Sequence, residues 1–311
     1  MRQSLRQPRI NLDQLRIFQA LAQSHSFTRA AEIVHLTQPG ISKHIKQMEE
    51  YLGVALFDRA GKKATLTEAG AILFEATQGV MAIVDVAEQR INDLKGLRGG
   101  RLRLGSGFPV GVYILPRVLS KFRKRYPEVE VTLEIMVSDS VGPKLLASEI
   151  DLGLVSSEPR DPRLMAQPFF SDELVAIVPR SHPWAAKARV QVQDLANETF
   201  IVAARGAGTR TVMEERLRAK GIVLSNVLEF GNLEGVKHTV EAGLGVSVQG
   251  RSVVQREVTA GTLPGLKLTG IDASIEFFYA WRKNAHLSHA AQALVSLLQS
   301  TGGSGGTPSH R

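Results

Sequence analysis

The chain has 311 residues, 38 Lys+Arg against 30 Asp+Glu for a net charge of +8, and no cysteine. At about 100–200 residues per domain it holds two domains or three, and the absence of thiols excludes a disulfide scaffold, a thiolate zinc site, an iron–sulfur cluster and a cysteine nucleophile. No stretch approaches the roughly 18 unbroken apolar residues of a membrane helix, and no apolar run follows the basic start as in a signal peptide, so a soluble cytoplasmic protein is expected. Residues 1–66 hold 10 basic and 5 acidic side chains, over half of the excess charge in a fifth of the chain. That asymmetry suggests an anionic polymer as partner; a solvated basic face is the alternative.

In chain order, residues 12–52 read as three helices. Leu12, Leu15, Phe18 and Ala22 recur at helical spacing, Ser26 can cap a second helix through Ala30, Ala31 and Val34, and Ile41, Ile45, Met48 and Leu52 form one stripe on a third. Thr37 or Gln38 suits its cap and Pro39 its first turn. Residues 53–67 read as a small basic β-hairpin. A helix of about 28 residues follows to Lys95, with Leu73, Ala76, Val80, Ile83, Ala87 and Leu94 on a coiled-coil-like stripe that needs a partner. Gly96, Gly99 and Gly100 form a linker. From Arg101 strands alternate with helices, which predicts parallel α/β architecture as one large domain or two lobes. Strands are expected at 102–105, 129–137, 151–155, 174–178, 199–203, 246–248 and 277–281. Helices are expected at 110–125, 140–148, 209–220, 233–243, 251–260 and 287–299. The Gly/Ser-rich stretch 301–311 reads as a disordered tail.

On the third helix Gln38, Ser42, Lys43 and Lys46 lie away from the apolar stripe, at or near the N-terminal half. Gln can bond the major-groove edge of adenine, Lys reaches guanine or phosphate, and a helix N-terminus attracts phosphate. A helix, a turn and a second helix with this polar face make a helix-turn-helix; an ordinary three-helix cluster with a solvated face is the alternative.

The motifs Ser26-Phe27-Thr28-Arg29-Ala30-Ala31, Thr37-Gln38-Pro39, Ser42, Glu49, Leu52-Gly53, Leu56-Phe57-Asp58-Arg59 and Leu66-Thr67-Glu68-Ala69-Gly70 resemble, in order and spacing, the winged helix-turn-helix of LysR-type transcriptional regulators. Lys43 stands where Arg is usual. The resemblance spans residues 12 to about 299. It implies a winged helix-turn-helix over 1–67, a dimerising linker helix over 68–96 and a two-lobed, periplasmic-binding-protein-like effector domain over 97–300. Lobe one would be about 101–170 with 276–299, and lobe two about 171–275. It implies double-stranded promoter DNA as partner, read by Thr37, Gln38, Pro39, Ser42, Lys43 and Lys46, with Thr28 and Arg29 on the backbone and Arg59 and Lys62 placing the wing. It further implies a homodimer through the linker helix, a tetramer through the C-terminal domains, and RNA polymerase as a possible partner.

Gly105-Ser106-Gly107-Phe108-Pro109-Val110-Gly111 follows a strand and opens a helix, but its last glycine comes one residue too late for a dinucleotide fingerprint. Similar strand-to-helix turns recur at Ser138-Asp139-Ser140, at Arg205-Gly206-Ala207-Gly208-Thr209-Arg210 and at Gly231-Asn232. Each alone suits ordinary helix capping; four together suit a shared cleft at the strand ends. By the resemblance, Ser106, Ser138 and Thr209 match the family's polar pocket positions, with Gly107, Phe108, Gly208, Asn232 and Gln249 beside them. RGAGTR resembles the turn of the branch linked to sulfur and carbon-dioxide assimilation. The implied effector is an oxyanion or a phosphorylated or carboxylate metabolite. No cofactor, metal site or catalytic constellation is expected: His286 and His289 lack a third ligand, and no hydrolase, zincin or P-loop motif occurs. A solute-binding protein, an enzyme using the α/β domain and an architectural DNA binder are the rival readings.

Overall fold

The computed structural model describes residues 10–58, 63–93 and 100–302. The chain divides into two compact units, residues 1–88 and 89–311.

The first unit opens with α1 (Leu12–Ser24), α2 (Phe27–Ile33) and α3 (Gln38–Leu52). Each has its own start signal. Asn11 and Gln14 form a reciprocal capping box on α1, Ser26 accepts from Arg29 N–H on α2, and Thr37 accepts from Gly40 N–H on α3 with Pro39 in the first turn. Gly53 ends α3 at φ +72°, a conformation that suits glycine. Strands β1 (Phe57–Asp58) and β2 (Thr65–Leu66) pair antiparallel, and α4 (Glu68–Asp93) follows. The hairpin is pinned to the helices by specific bonds. Glu49 accepts from the N–H groups of Leu56 (2.8 Å) and Phe57 (3.3 Å), and Thr67 Oγ1 donates to Ala55 O (2.7 Å). A Cβ on Gly70 would meet Leu56 O at 2.1 Å, so only glycine lets α4 pass this close to the hairpin. Phe18, Leu21, Ile41, Ile45, Met48 and Leu56 are fully buried.

The stripes differ from expectation at their ends. Leu12 and Leu52 are exposed; on α1 Phe18 and Ala22 are buried as expected, and Gln14, Ile17, Ala20 and Leu21 are buried beside them.

The second unit runs β3 (Arg101–Gly107), a π-helical turn (Val110–Ile114), α5 (Leu115–Arg125), β4 (Glu130–Met136), α6 (Ser138–Leu146), β5 (Leu152–Val155) and β6 (Leu164–Ile177). It continues through β7 (Arg189–Gln191), β8 (Thr199–Val202), α7 (Gly208–Ala219), β9 (Asn226–Glu229), α8 (Leu233–Glu241), β10 (Ser247–Gly250), α9 (Arg251–Ala260), β11 (Gly265–Thr269), β12 (Ser274–Arg282) and α10 (His289–Gly302). The main sheet has the order β4-β3-β5-β12-β6-β11-β7, with β10 also on β6; β8 and β9 pair separately. Residues 164–173 of β6 pair with β12, and residues 174–177 pair with β10 and β11. One long strand thus leaves lobe one for lobe two and β12 returns, so the expected parallel sheet is mixed. β3, β4 and β5 are parallel, whereas the two crossing strands run antiparallel because the chain traverses the waist in opposite directions.

β7, β9, β11 and the first half of β6 were not legible as strands. β9 is exposed throughout, and Pro168 and Asp172 interrupt the apolar pattern of β6. α10 runs through Gly302, into the expected tail; the rest of that stretch, with Gly96 and Gly99 of the expected linker, lies outside the described residues.

Behind the lobe junction a buried charge cluster joins the π-helical turn to α8 and α9. Lys237 contacts Glu257 at 2.6 Å and Glu234 at 3.0 Å, and its ammonium stands 5.1 Å from the centre of the Tyr113 ring. The Tyr113 hydroxyl donates to Glu234, and Glu257 Oε2 is buried without a partner.

Candidate functional site

The first unit presents a polar face built on its buried stripe. Ile41, Ile45 and Met48 face the core, which turns Gln38, Lys43 and Lys46 to solvent with Ser42 half-buried beside them. Thr28 and Arg29 on α2 and Thr37 and Pro39 at the start of α3 are exposed too. Lys46 stands 3.6 Å from Glu50, a loose solvated pair. Lys43 has no carboxylate partner among the described residues. Arg59 and Lys62 lie outside those residues.

The second unit holds a cavity of about 230 Å³ where the lobes meet. Of the expected residues, Phe108, Ser138, Gly208, Thr209, Asn232 and Gln249 line it. Ser106 and Gly107 do not. Ser106 is fully buried and its hydroxyl donates to Gly107 O (2.9 Å), while Gly107 lies behind Ser138, whose Oγ a Cβ there would meet at 2.6 Å. Both sit at the end of β3, one layer beneath the cavity wall.

The focus of the cavity is the junction at Gly208. A Cβ on this residue would lie 2.9 Å from Ser138 Oγ and 3.1 Å from Ser156 Oγ. Glycine therefore lets lobe two close upon two hydroxyls of lobe one. Both hydroxyls are buried and neither has a hydrogen-bond partner. Buried hydroxyls are almost always partnered, since an orphan costs about 1–3 kcal/mol. Ser138 also begins α6 and Gly208 begins α7, and neither helix has a side-chain cap. Two helix starts, each carrying partial positive charge, so converge on two orphaned hydroxyls. α8 differs: Asn232 caps it by accepting from Gly235 N–H at 2.8 Å, the ordinary role of such a residue. The turn around Ser138 signalled that residue in the sequence; Ser156, which β5 brings in after a plain apolar run, packs behind Gly208 and does not line the cavity.

Arg210 lines the cavity but offers it no free charge. Its guanidinium donates to Glu214 (2.6 Å), Glu229 (2.8 Å) and Ala203 O (2.7 Å). Burial alone would lower its pKa, but the bonds to Glu229 and Glu214 outweigh this and raise it. Arg205, at the start of the same turn, is exposed and does not line the cavity; it adds to the positive field at Glu229, whose carboxyl Arg210 chiefly holds below its usual range. The polar groups this wall offers are hydroxyls and helix termini, which suit a small oxyanion. No group of His, Asp and Glu among the described residues is disposed to hold a metal, and no described helix is long and apolar enough to cross a membrane.

Residues 12–71 match the family described as bacterial regulatory helix-turn-helix protein, lysR family, and residues 95–303 match the LysR substrate binding domain. The chain is 33% identical over 284 residues to the RuBisCO operon transcriptional regulator of Allochromatium vinosum, covering 91% of this chain and 94% of that one. Among solved structures it resembles a full-length, singly substituted OxyR from Pseudomonas aeruginosa (TM-score 0.72, 24% identity, 94% of both chains). It also resembles the regulatory domain of CcmR from Synechocystis PCC6803 in complex with 2-PG (TM-score 0.60, 29% identity, 65% of this chain and 97% of that one).

Proposed function

The chain belongs to the LysR family of DNA-binding transcriptional regulators, and from that premise we propose which of its residues read DNA, where its effector binds and what the effector is. Gln38, Ser42 and Lys43 enter the major groove on α3, with Lys46 on the groove edge and Thr37 and Pro39 at its mouth. Thr28 and Arg29 hold the backbone, and Arg59 and Lys62 carry the wing. The effector is a small oxyanion-bearing metabolite held at the Gly208 junction by Ser138 and the starts of α6 and α7, with Thr209, Phe108, Asn232 and Gln249 around it. Ser106 and Gly107 support that wall from beneath.

The observation that carries the effector site is the orphaned Ser138 hydroxyl on the cavity wall, meeting Gly208 across the lobes. A ligand there touches both lobes, so it favours one lobe arrangement and shifts the population of DNA-binding assemblies. The 2-PG held by the CcmR regulatory domain is an anion of the expected kind. The likeness to a RuBisCO operon regulator supports target genes of carbon assimilation rather than of sulfur. On this reading the protein is a cytoplasmic regulator without catalytic activity or cofactor, and RNA polymerase is its partner at the promoter.

Two copies pair along α4, whose Ala76, Val80, Ile83 and Ala87 recur at helical spacing and are exposed, and pairs join as tetramers through the C-terminal domains. Half-sites then lie about one helical turn or a multiple apart. The test is a thermal-shift titration of the full chain with 2-phosphoglycolate and inorganic phosphate. A saturable rise in melting temperature that Ser138→Ala and Gly208→Val abolish is expected. A rise of equal size in both variants places the ligand elsewhere.

A further inference from the structure

The cavity has a second, chemically different end. From the Gly208 junction it continues beneath α7, where Met213, Leu217 and Leu224 face Phe200, Val202 and Val248. Apart from Leu224, which is half-buried, these side chains are at most 5% exposed. The charged residues on the wall are Arg210 and Glu214, and they neutralise each other at 2.6 Å. An apolar cavity of about 150 Å³ holds a benzene ring; the 230 Å³ here has room for a ring and an oxyanion head. A small ligand charged at both ends would have to place one charge against this apolar wall, losing its hydration without a partner.

Resting on the effector-site reading above, we infer that the effector is amphipathic: one oxyanion head on Ser138 and Gly208, and an apolar body the size of an aromatic ring under α7. The head is the specificity element and the body supplies affinity, because it removes apolar surface from water.

The test is calorimetric titration of the full-length protein with four probes: inorganic phosphate, 2-phosphoglycolate, phenyl phosphate and phenylacetate. At least one ring-bearing probe is expected to bind about ten-fold or more tighter than 2-phosphoglycolate, and the better of the two identifies the head as phosphate or carboxylate. Leu224→Phe, which fills the apolar end, should erase the preference and leave inorganic phosphate binding unchanged. Val202→Thr keeps the shape, sets a hydroxyl against the ring and should weaken the ring-bearing probes several-fold if Leu224→Phe does not fold. If 2-phosphoglycolate binds as tightly as the ring-bearing probes, and Ser138→Ala abolishes its binding, the amphipathic ligand is wrong and the effector site stands. If no probe binds, the site and the inference both fall.

Discussion

The first unit and the cleft of the second store function in opposite ways. On α3 the groups offered to a partner are exposed, and the buried groups are their scaffold. At the Gly208 junction the cavity-lining Ser138 hydroxyl is itself buried and left without a partner. Exposed function is cheap, since Lys43 can change without touching the core. Buried function is coupled to stability, because orphaned hydroxyls weaken the unliganded unit and a ligand that satisfies them strengthens it.

The sharpest break of this contrast comes from a buried group outside both sites. Lys237→Met leaves the largely buried Glu257 without its counter-charge, Glu234 being half exposed, and removing one partner of a buried pair costs about 3–5 kcal/mol. Calorimetry should show the C-terminal unit melting much earlier and the N-terminal unit unchanged.

The same cluster makes the second unit sensitive to alkali. Burial and the bond to Glu234 push the Tyr113 phenol up to about 12. Burial would lower the pKa of Lys237, but hydrogen bonding to Glu257, Tyr113 and Glu234 raises it overall. Both folded-state values exceed the unfolded ones, so the stabilisation is complete below about pH 10 and is lost as pH climbs toward the folded values. Melting temperatures between pH 8 and 11 should be flat and then fall, and Tyr113→Phe should soften the fall.

A smaller effect of opposite sign is expected in the cleft. Ser138→Ala removes an orphaned donor, so the unliganded unit should gain up to about 1–2 kcal/mol while losing its ligand-induced shift. Denaturant midpoints with and without 2-phosphoglycolate check both halves. On α3, Lys43→Ala should weaken DNA binding by about 1–2 kcal/mol and lower the salt slope by about one, with no change in stability. Lys46→Ala, whose charge is shared with Glu50, should cost less, under about 1 kcal/mol.

The first unit was largely legible because its signals are local. Ser26 and Thr37 are caps, Ile41, Ile45 and Met48 keep helical spacing, and Glu49, Thr67 and Gly70 sit where they must to hold the hairpin. What the periodicity misplaced, Leu12 and Leu52, lies at helix ends, where a stripe has no neighbour to cover it. In the second unit, turns were legible and convergence was not. Ser138, Gly208 and Thr209 stand in turns that announce a helix start. Ser156 is a single hydroxyl after an apolar strand, and its place beside Gly208 depends on how the lobes meet. Ser106 stood in the most suggestive turn and is fully buried off the cavity wall. The long strand β6 escaped because a crossing strand changes neighbours midway and so keeps no single pattern of burial.

The most direct test of the coupling is a fluorescence-anisotropy titration of the full-length protein on DNA from just upstream of its own gene. It should run at two salt concentrations, with and without 2-phosphoglycolate and phenyl phosphate. The account predicts salt-sensitive, sequence-selective binding that at least one of these ligands alters. The ligand effect should be absent in Ser138→Ala, and binding itself should weaken in Lys43→Ala. Selective binding that shifts equally with ligand in Ser138→Ala would contradict it.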